Sequence, residues 1–242
     1  MKLDLVAIGV HPDDVELSCA GTLLVEKRNG KKTGIIDLTE GELGTRGDRE
    51  LRKKEAADAA AILGVEIRDN LRMADGFFSN DEAHQRQLIA CLRRYQPEII
   101  LCNAPKDRHP DHSRSSGLAE DAAFLSGLKK IVTTDQGETQ EPWRPKYVFH
   151  YIQDRFLQPD FVIDISTVFD QKMEAIKAFS SQFHSEGIAG PQTYISTPDF
   201  LDSVVYRHKW FGKMIGVKYA EGFISEKTIG FRSFGSLIQE TT

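Results

Sequence analysis

Along the first half of the chain, short β-branched apolar runs alternate with longer stretches in which apolar residues recur every three or four positions. LDLVAIGV (3–10), TGIIDLT (33–39), EIRDNLRM (66–73) and EIILCN (98–103) read as strands, the third the weakest and the last launched by Pro97. Between them, VELSCAGTLLVEKRNG (15–30) reads as a helix closed by Gly30. DRELRKKEAADAAAILG (48–64) reads as an alanine-rich amphipathic helix with Gly64 in the stop position. Further helices are expected over about 81–95 and 113–128. Strand–helix alternation of this kind predicts an α/β fold with a mostly parallel sheet, helices on both faces and right-handed crossovers.

The second half is less regular. TTDQGETQEPWRP (133–145) is polar and proline-containing and reads as a loop, while KYVFHYI (146–152) and FVIDIS (161–166) read as strands. Helices are expected over about 167–181 and 199–216. The glycine- and proline-bearing HSEGIAGPQTYIST between them reads as a mobile surface loop. With no internal repeat and no linker, residues 1–242 are expected to form a single Rossmann-like domain with a less regular C-terminal part.

Composition narrows the picture. Of 242 residues, 40% are hydrophobic and 28% charged, which is ordinary for a globular chain, and the net charge of −5 gives no support for nucleic-acid binding. No apolar run approaches the roughly 18 residues that suggest a membrane span. MKLDLVAIGV reads as a first strand rather than a signal peptide. Cys19, Cys91 and Cys102 show no Cys-x-x-Cys spacing, which suits reduced thiols in a cytoplasmic protein.

Two similar tetrapeptides carry the chemistry. HPDD occupies His11–Asp14 and HPDH occupies His109–His112, and both follow predicted strands. Loops at the C-terminal ends of parallel strands share one rim, so the two can meet. Proline in second place suits the first position of a helix, and residues one and four can then share a face of a helical turn. His11, Asp14, His109 and His112 are thus possible metal ligands, with Asp13 and Asp111 beside them. Nitrogen and carboxylate donors without cysteine suit a catalytic zinc ion, although iron or manganese would also accept such a set. A lone HPDD would be explained as a helix N-terminus with favourably placed aspartates; the pair of motifs points to a site.

These motifs, with DLTEGELGTRG after the second strand, RKKEAADAAAILGV (52–65), DRHPDH (107–112), SQF (181–183) and YAEGF (219–223), resemble the LmbE-like family of zinc-dependent N-deacetylases. The chain is most similar to the branch that deacetylates N-acetylglucosaminyl malate in bacillithiol biosynthesis. The resemblance implies that His11, Asp14 and His112 hold Zn2+ and that Asp13 is the general base. It gives His109 the oxyanion or the leaving proton, and Asp111 the task of orienting a histidine. It also implies an acetylated amino-sugar substrate and a homo-oligomer.

In TEGELGTRGDRELR (39–52), the resemblance makes Arg52 the substrate-binding residue, suited to a carboxylate such as malate. Glu42 and Asp75 are candidate acceptors for sugar hydroxyls, although each could equally be an ordinary turn residue. His84 and His208 are expected at the surface, RKKE (52–55) as a solvated helix face, and His150, His184 and Tyr194 carry no assigned role. The leading expectation is a metal-dependent deacetylase of N-acetylglucosaminyl malate. Its rivals are a deacetylase of another acetylated sugar or thiol conjugate, and a metal-binding module without catalysis.

Overall fold

A computed structural model of the protein describes residues 1–183, 190–231 and 233–237. Its first half follows the expected alternation: β1 (Leu5–Gly9), α1 (Asp14–Ser18), α2 (Ala20–Arg28), β2 (Thr33–Thr39), α3 (Arg49–Leu63), β3 (Ile67–Met73), α4 (Glu82–Tyr95), β4 (Ile99–Cys102) and α5 (Pro110–Leu125). There follow β5 (Thr134–Asp135), β6 (Glu138–Thr139), β7 (Tyr147–Tyr151), β8 (Phe161–Asp164), α6 (Phe169–Lys177), α7 (Phe200–Ile215) and β9 (Ala220–Ser225).

Seven strands form one sheet in the order β3-β2-β1-β4-β7-β9-β8. The first five run parallel, and β9 is antiparallel to both β7 and β8. Two departures from expectation lie in the second half. The predicted loop 133–145 contains the small β5–β6 hairpin, and YAEGF, read only as a motif, lies mostly in β9. Glu221 and Gly222 interrupt the apolar alternation there, so no strand period is visible locally.

Strand side chains alternate between the two faces. Val6, Ile8, Ile36 and Ile100 pack with Leu88 and Leu92 of α4 and Leu118 and Ala122 of α5. Leu5, Ala7, Ile35 and Leu101 pack on the other face with Leu23 and Leu24 of α2 and Ala175 of α6. Helix ends follow local chemistry. Asp48 caps α3 by accepting from the Leu51 amide at 2.8 Å, and Gly64 closes that helix at φ 63°. The start of α5 lies three residues before the expected one, because His109 caps it and Pro110 takes its first position.

The helix expected over 15–30 is broken at Cys19 into α1 and α2. The break leaves amides at the start of α2 without helical partners, and a carboxylate 200 residues away meets them. Glu221 accepts from the Gly21 amide at 2.9 Å, the Thr22 amide at 2.7 Å and the Thr22 hydroxyl at 2.6 Å. Lys172 of α6 completes the cluster, with Nζ 2.6 Å from Glu221 Oε1 and both side chains fully buried. His208, expected at the surface, is buried beside this pair, its Nε2 3.9 Å from Glu221. Burial, reinforced by the charges of Lys172 and Arg207, holds its pKa well below the usual histidine value. The three cysteines are buried and free.

The Glu221–Lys172 pair ties β9, α2 and α6 together, so breaking it should be far worse than removing it. Lys172→Met and Glu221→Gln should each destabilise the fold by about 3–5 kcal/mol, because each strands a buried group. The double variant should lose much less than the sum of the two, measured by urea unfolding as a double-mutant cycle.

Candidate metal centre and active site

Strand order reverses direction between β1 and β4, and the loops after β1, β2, β3, β4 and β7 gather there at the C-terminal edge of the sheet. They line a cleft of about 310 Å³ whose walls include His11, Asp13, Asp14, Arg52, Asp75, His109 and His112. The two tetrapeptides therefore meet. Ring nitrogens of His11, His109 and His112 lie within 4.8 Å of one another.

Asp14 distinguishes among these imidazoles. Its Oδ1 is 3.2 Å from His112 Nε2 and its Oδ2 is 3.8 Å from His11 Nδ1. The remaining capacity of this buried carboxylate is filled by donors. The Val10 and His11 amides reach Oδ2 at 3.0 Å each, Asn103 Nδ2 reaches it at 3.2 Å, and Gln153 Nε2 reaches Oδ1 at 2.8 Å. Burial alone would raise its pKa, but His112 and His11 pull it well below the ordinary carboxylate range. His112 is held from behind by Asp107, with Nδ1 2.7 Å from Oδ2. Burial opposes its charge, yet Asp14 and Asp107 together push its pKa up to about 10. His11 Nδ1 and His112 Nε2 thus both face the Asp14 carboxylate, one toward each oxygen. A carboxylate backs one of these imidazoles on its far side, a donor set that fits a divalent cation.

Asp13 is the chemical opposite of its neighbour. Its backbone sits at φ 135°, a conformation L residues rarely adopt. It occupies the N-cap of α1 without accepting a capping hydrogen bond. Burial pushes its pKa up to about 7, opposed by Arg52, whose Nη2 lies 3.3 Å from Oδ2, and aided by the charge of Asp14. Two adjacent aspartates therefore differ greatly in proton affinity, the pattern expected where one is committed and the other exchanges protons. His109 receives the Asp111 amide on Nδ1 at 3.3 Å, so the neutral ring carries its proton on Nε2. Burial, followed by the charges of His11 and His112, lowers its pKa. The neutral ring, an N–H donor at Nε2, is thereby favoured.

Other expectations need correction. Among the described residues the Asp111 carboxylate bonds to no histidine, only its amide reaching His109: it accepts from the Gly76 amide at 2.8 Å and pairs with Arg114 at 2.6 Å, and the carboxylate behind His112 is Asp107. Arg52 lines the cleft, and its Nη1 and Nη2 already donate to Gln182 Oε1 at 2.7 Å, the Pro12 carbonyl at 2.8 Å and Asp13, while its Nε has no partner among the described residues. Gly41, at φ 66°, makes room for it, since a Cβ there would lie 3.0 Å from Arg52 Cζ. Asp75 faces the cleft with both oxygens engaged, one 2.9 Å from His11 Nε2 and the other accepting from the Leu43 amide at 3.0 Å. Glu42 is outside the lining and braces the Asp75 amide at 3.0 Å. RKKE is not a solvated face, because Arg52 and Glu55 are buried and Glu55 accepts from the Ser181 amide at 2.7 Å. Asn103, Asp107 and Gln153 were missed: each is an isolated residue after a strand, with no repeated pattern to mark it. His150 is buried, its Nδ1 2.8 Å from the Asn103 carbonyl. Tyr194 lines the cleft, and His184 lies outside the described residues.

A model of the PIG-L family, GlcNAc-PI de-N-acetylase, matches residues 6–123. The uncharacterized deacetylase YaiS of Escherichia coli is 37% identical over 152 residues, 57% of this chain and 75% of that one. The chain belongs to the PIG-L family. It is an enzyme of the deacetylase kind. A diacetylchitobiose deacetylase from Thermococcus kodakarensis is 27% identical over 90% of this chain and 81% of its own. The solved structure of the conserved protein TT1542 from Thermus thermophilus superposes with a TM-score of 0.84 at 36% identity, covering 95% and 97% of the two chains. At 26% identity stand a probable N-acetyl-alpha-D-glucosaminyl L-malate deacetylase 2 of Bacillus cereus, over 75% of this chain and 84% of its own, and a 4-oxalmesaconate hydratase of Pseudomonas putida, over 74% of each.

Asp14 and Asp107 favour a proton on His112, and metal binding there must displace it. Zinc titrations by calorimetry at pH 7–8, in buffers of different ionisation enthalpy, should show about one proton released per ion. Asp107→Ala should weaken zinc affinity by about 10–100-fold.

Proposed function

We propose that this enzyme hydrolyses the acetamide of an N-acetylglucosamine conjugate with the help of a divalent metal, zinc being the first candidate. The observation that carries this reading is the pairing of Asp13 and Asp14, neighbours of opposite proton affinity in one cleft. His11, Asp14 and His112 would hold the metal. When bound, the ion supplies Lewis acidity, making water easier to deprotonate near neutral pH and drawing charge onto the acetyl carbonyl oxygen.

The protein's own groups then divide the work. Asp13 accepts a proton from the attacking water as the new carbon–oxygen bond forms. His109 offers its Nε2 hydrogen to the carbonyl oxygen as negative charge develops there. Collapse breaks the carbon–nitrogen bond, and Asp13 returns its proton to the departing amine. The products are acetate and a glucosamine conjugate. Arg52 opposes the burial that raises the pKa of Asp13, keeping that carboxyl able to give up its proton near neutrality.

N-acetylglucosaminyl-L-malate is the first conjugate to try, supported by the Bacillus cereus relative, and diacetylchitobiose is the second. Water addition to an unsaturated acid, as in the hydratase relative's name, would call on the same base but would release no acetate. Zinc-loaded enzyme should release acetate and free amine in equal amounts from at least one of the two sugars, and metal-free enzyme from neither. Conversion of an unsaturated dicarboxylate without any acetate release would overturn the reading. Asp13→Asn should bind zinc normally by calorimetry while kcat falls by about 10²–10⁴-fold.

Arg52 gives the pH dependence its sign. Removing a positive charge beside Asp13 makes the carboxyl hold its proton more tightly, so the ionised base appears only at higher pH. Arg52→Gln should move the acidic limb of the kcat/KM profile upward by at least about 1 pH unit, and Arg52→Lys should move it less.

A further inference from the structure

A second cavity of about 480 Å³ opens beside His112. It shares Leu17, Arg108, His112, Gln153, Tyr194 and Ile195 with the catalytic cleft, so the two spaces adjoin. One wall is a single face of α7, where Ser203, Tyr206, Arg207 and Trp210 recur at helical spacing. Val204, His208 and Phe211, on the inner face of the same helix, are buried. Phe156 lies on the cavity lining as well. Tyr206, Trp210 and Phe156 are 65%, 50% and 67% exposed, large apolar surfaces beside a catalytic cleft rather than in a core.

Arg207 supplies the charge. Its Nη2 donates to the Leu17 carbonyl at 3.0 Å, and among the described residues it makes no ion pair. The nearby acids are occupied: Asp154 by Arg108 at 3.3 Å and by the Tyr194 hydroxyl at 3.2 Å, and Asp107 by His112 and the Arg108 and Arg155 amides. Burial lowers the pKa of Arg207 to about 10 against the opposing charges of Asp154, Asp107 and Glu221, the last of which is paired with Lys172. Aromatic walls with one guanidinium that makes no ion pair among the described residues match a ligand with an apolar body and an anionic group.

We propose that this cavity is the subsite for the substrate's aglycone, and that it selects an aromatic or similarly broad apolar aglycone bearing a carboxylate. The inference rests on the deacetylase reading above. It places the sugar and its acetamide in the metal cleft and the aglycone beyond His112. A simple acyl chain carries no charge to meet Arg207, which assigns the cavity to the aglycone rather than to the acyl group.

Binding of deacetylated product forms tests the subsite apart from turnover. Methyl, phenyl and 4-carboxyphenyl glucosaminides, in both anomeric forms, would be titrated by calorimetry into the zinc-loaded enzyme. Affinity should rise from methyl to phenyl to 4-carboxyphenyl, the last about tenfold tighter than phenyl. Arg207→Gln should abolish the difference between the carboxyphenyl and phenyl compounds, and Trp210→Ala the difference between phenyl and methyl. Equal affinity for all three compounds, or chitobiose competing as well as the carboxyphenyl glycoside, would overturn the proposal. So would Trp210→Ala changing the molar mass by light scattering while leaving the affinity order intact, which would make the α7 face a contact between copies of the chain. Acetate release from N-acetylglucosaminyl-L-malate and diacetylchitobiose, assayed in parallel, tests the deacetylase reading separately: release from neither would refute that reading and the subsite with it, whereas release with equal affinity for all three glucosaminides would refute the subsite alone.

Discussion

The carboxylate of Asp14 is the constraint around which the cleft is assembled. An ionised group this deeply buried is tolerable only with its charge and lone pairs compensated, and the compensation is drawn from separate parts of the chain. Val10 and His11 contribute backbone amides after β1, Asn103 an amide side chain after β4, Gln153 another after β7, and His112 an imidazole from the first turn of α5. No local segment could supply this set. The parallel register of β1, β4 and β7 brings the donors to one edge, so the fold and the proton affinity of a single residue are aspects of the same arrangement.

Buried polar contacts extend this logic to the cleft walls. Glu55 on α3 accepts from the Ser181 amide and hydroxyl, while the Ser181 carbonyl accepts from Arg46 Nε at 2.8 Å. Gln182 receives Arg52 and in turn donates to the Arg46 carbonyl at 2.7 Å. The loop after β2, the helix that follows it and the segment after α6 are thereby locked together, which fixes the guanidinium that faces Asp13. Arg68 does similar work deeper in the structure, gripping Asp37 with two hydrogen bonds and Glu16 with a third. These charges hold loops in register where the apolar core does not reach.

How much of this was legible in the sequence follows from the range of each interaction. The parallel strands and most helices announced themselves by local periodicity and by end signals such as Asp48 and Gly64. The paired tetrapeptides announced the cleft because they repeat a pattern. Strand β9 was hidden because Glu221 occupies a position where the strand period calls for an apolar residue, and the break at Cys19 was hidden because its compensation comes from that same Glu221. Asn103 and Gln153 leave no mark for a related reason: a hydrogen bond between residues 89 or 139 positions apart leaves no periodic trace. Arg52 and Glu55 looked like a solvated face because a charged helix surface and a buried charged network have the same letters.

The difference between Asp13 and Asp14 has a backbone origin. An aspartate at a helix N-cap ordinarily spends its carboxylate on the first-turn amides, and such bonds would depress its pKa as the donors around Asp14 do. At φ 135° and ψ −22°, Asp13 makes no such bond. Its side chain goes instead to Arg52, with burial left as the dominant influence on its proton. A strained conformation of this kind costs on the order of 1–3 kcal/mol and persists only where the surroundings over-determine it. Here they do: Asp14 anchors the next residue through its donors, and Arg52 holds the preceding Pro12 carbonyl at 2.8 Å. The strain is the means by which one of two identical neighbours is kept out of the hydrogen-bonding scheme and left with a proton affinity near neutrality.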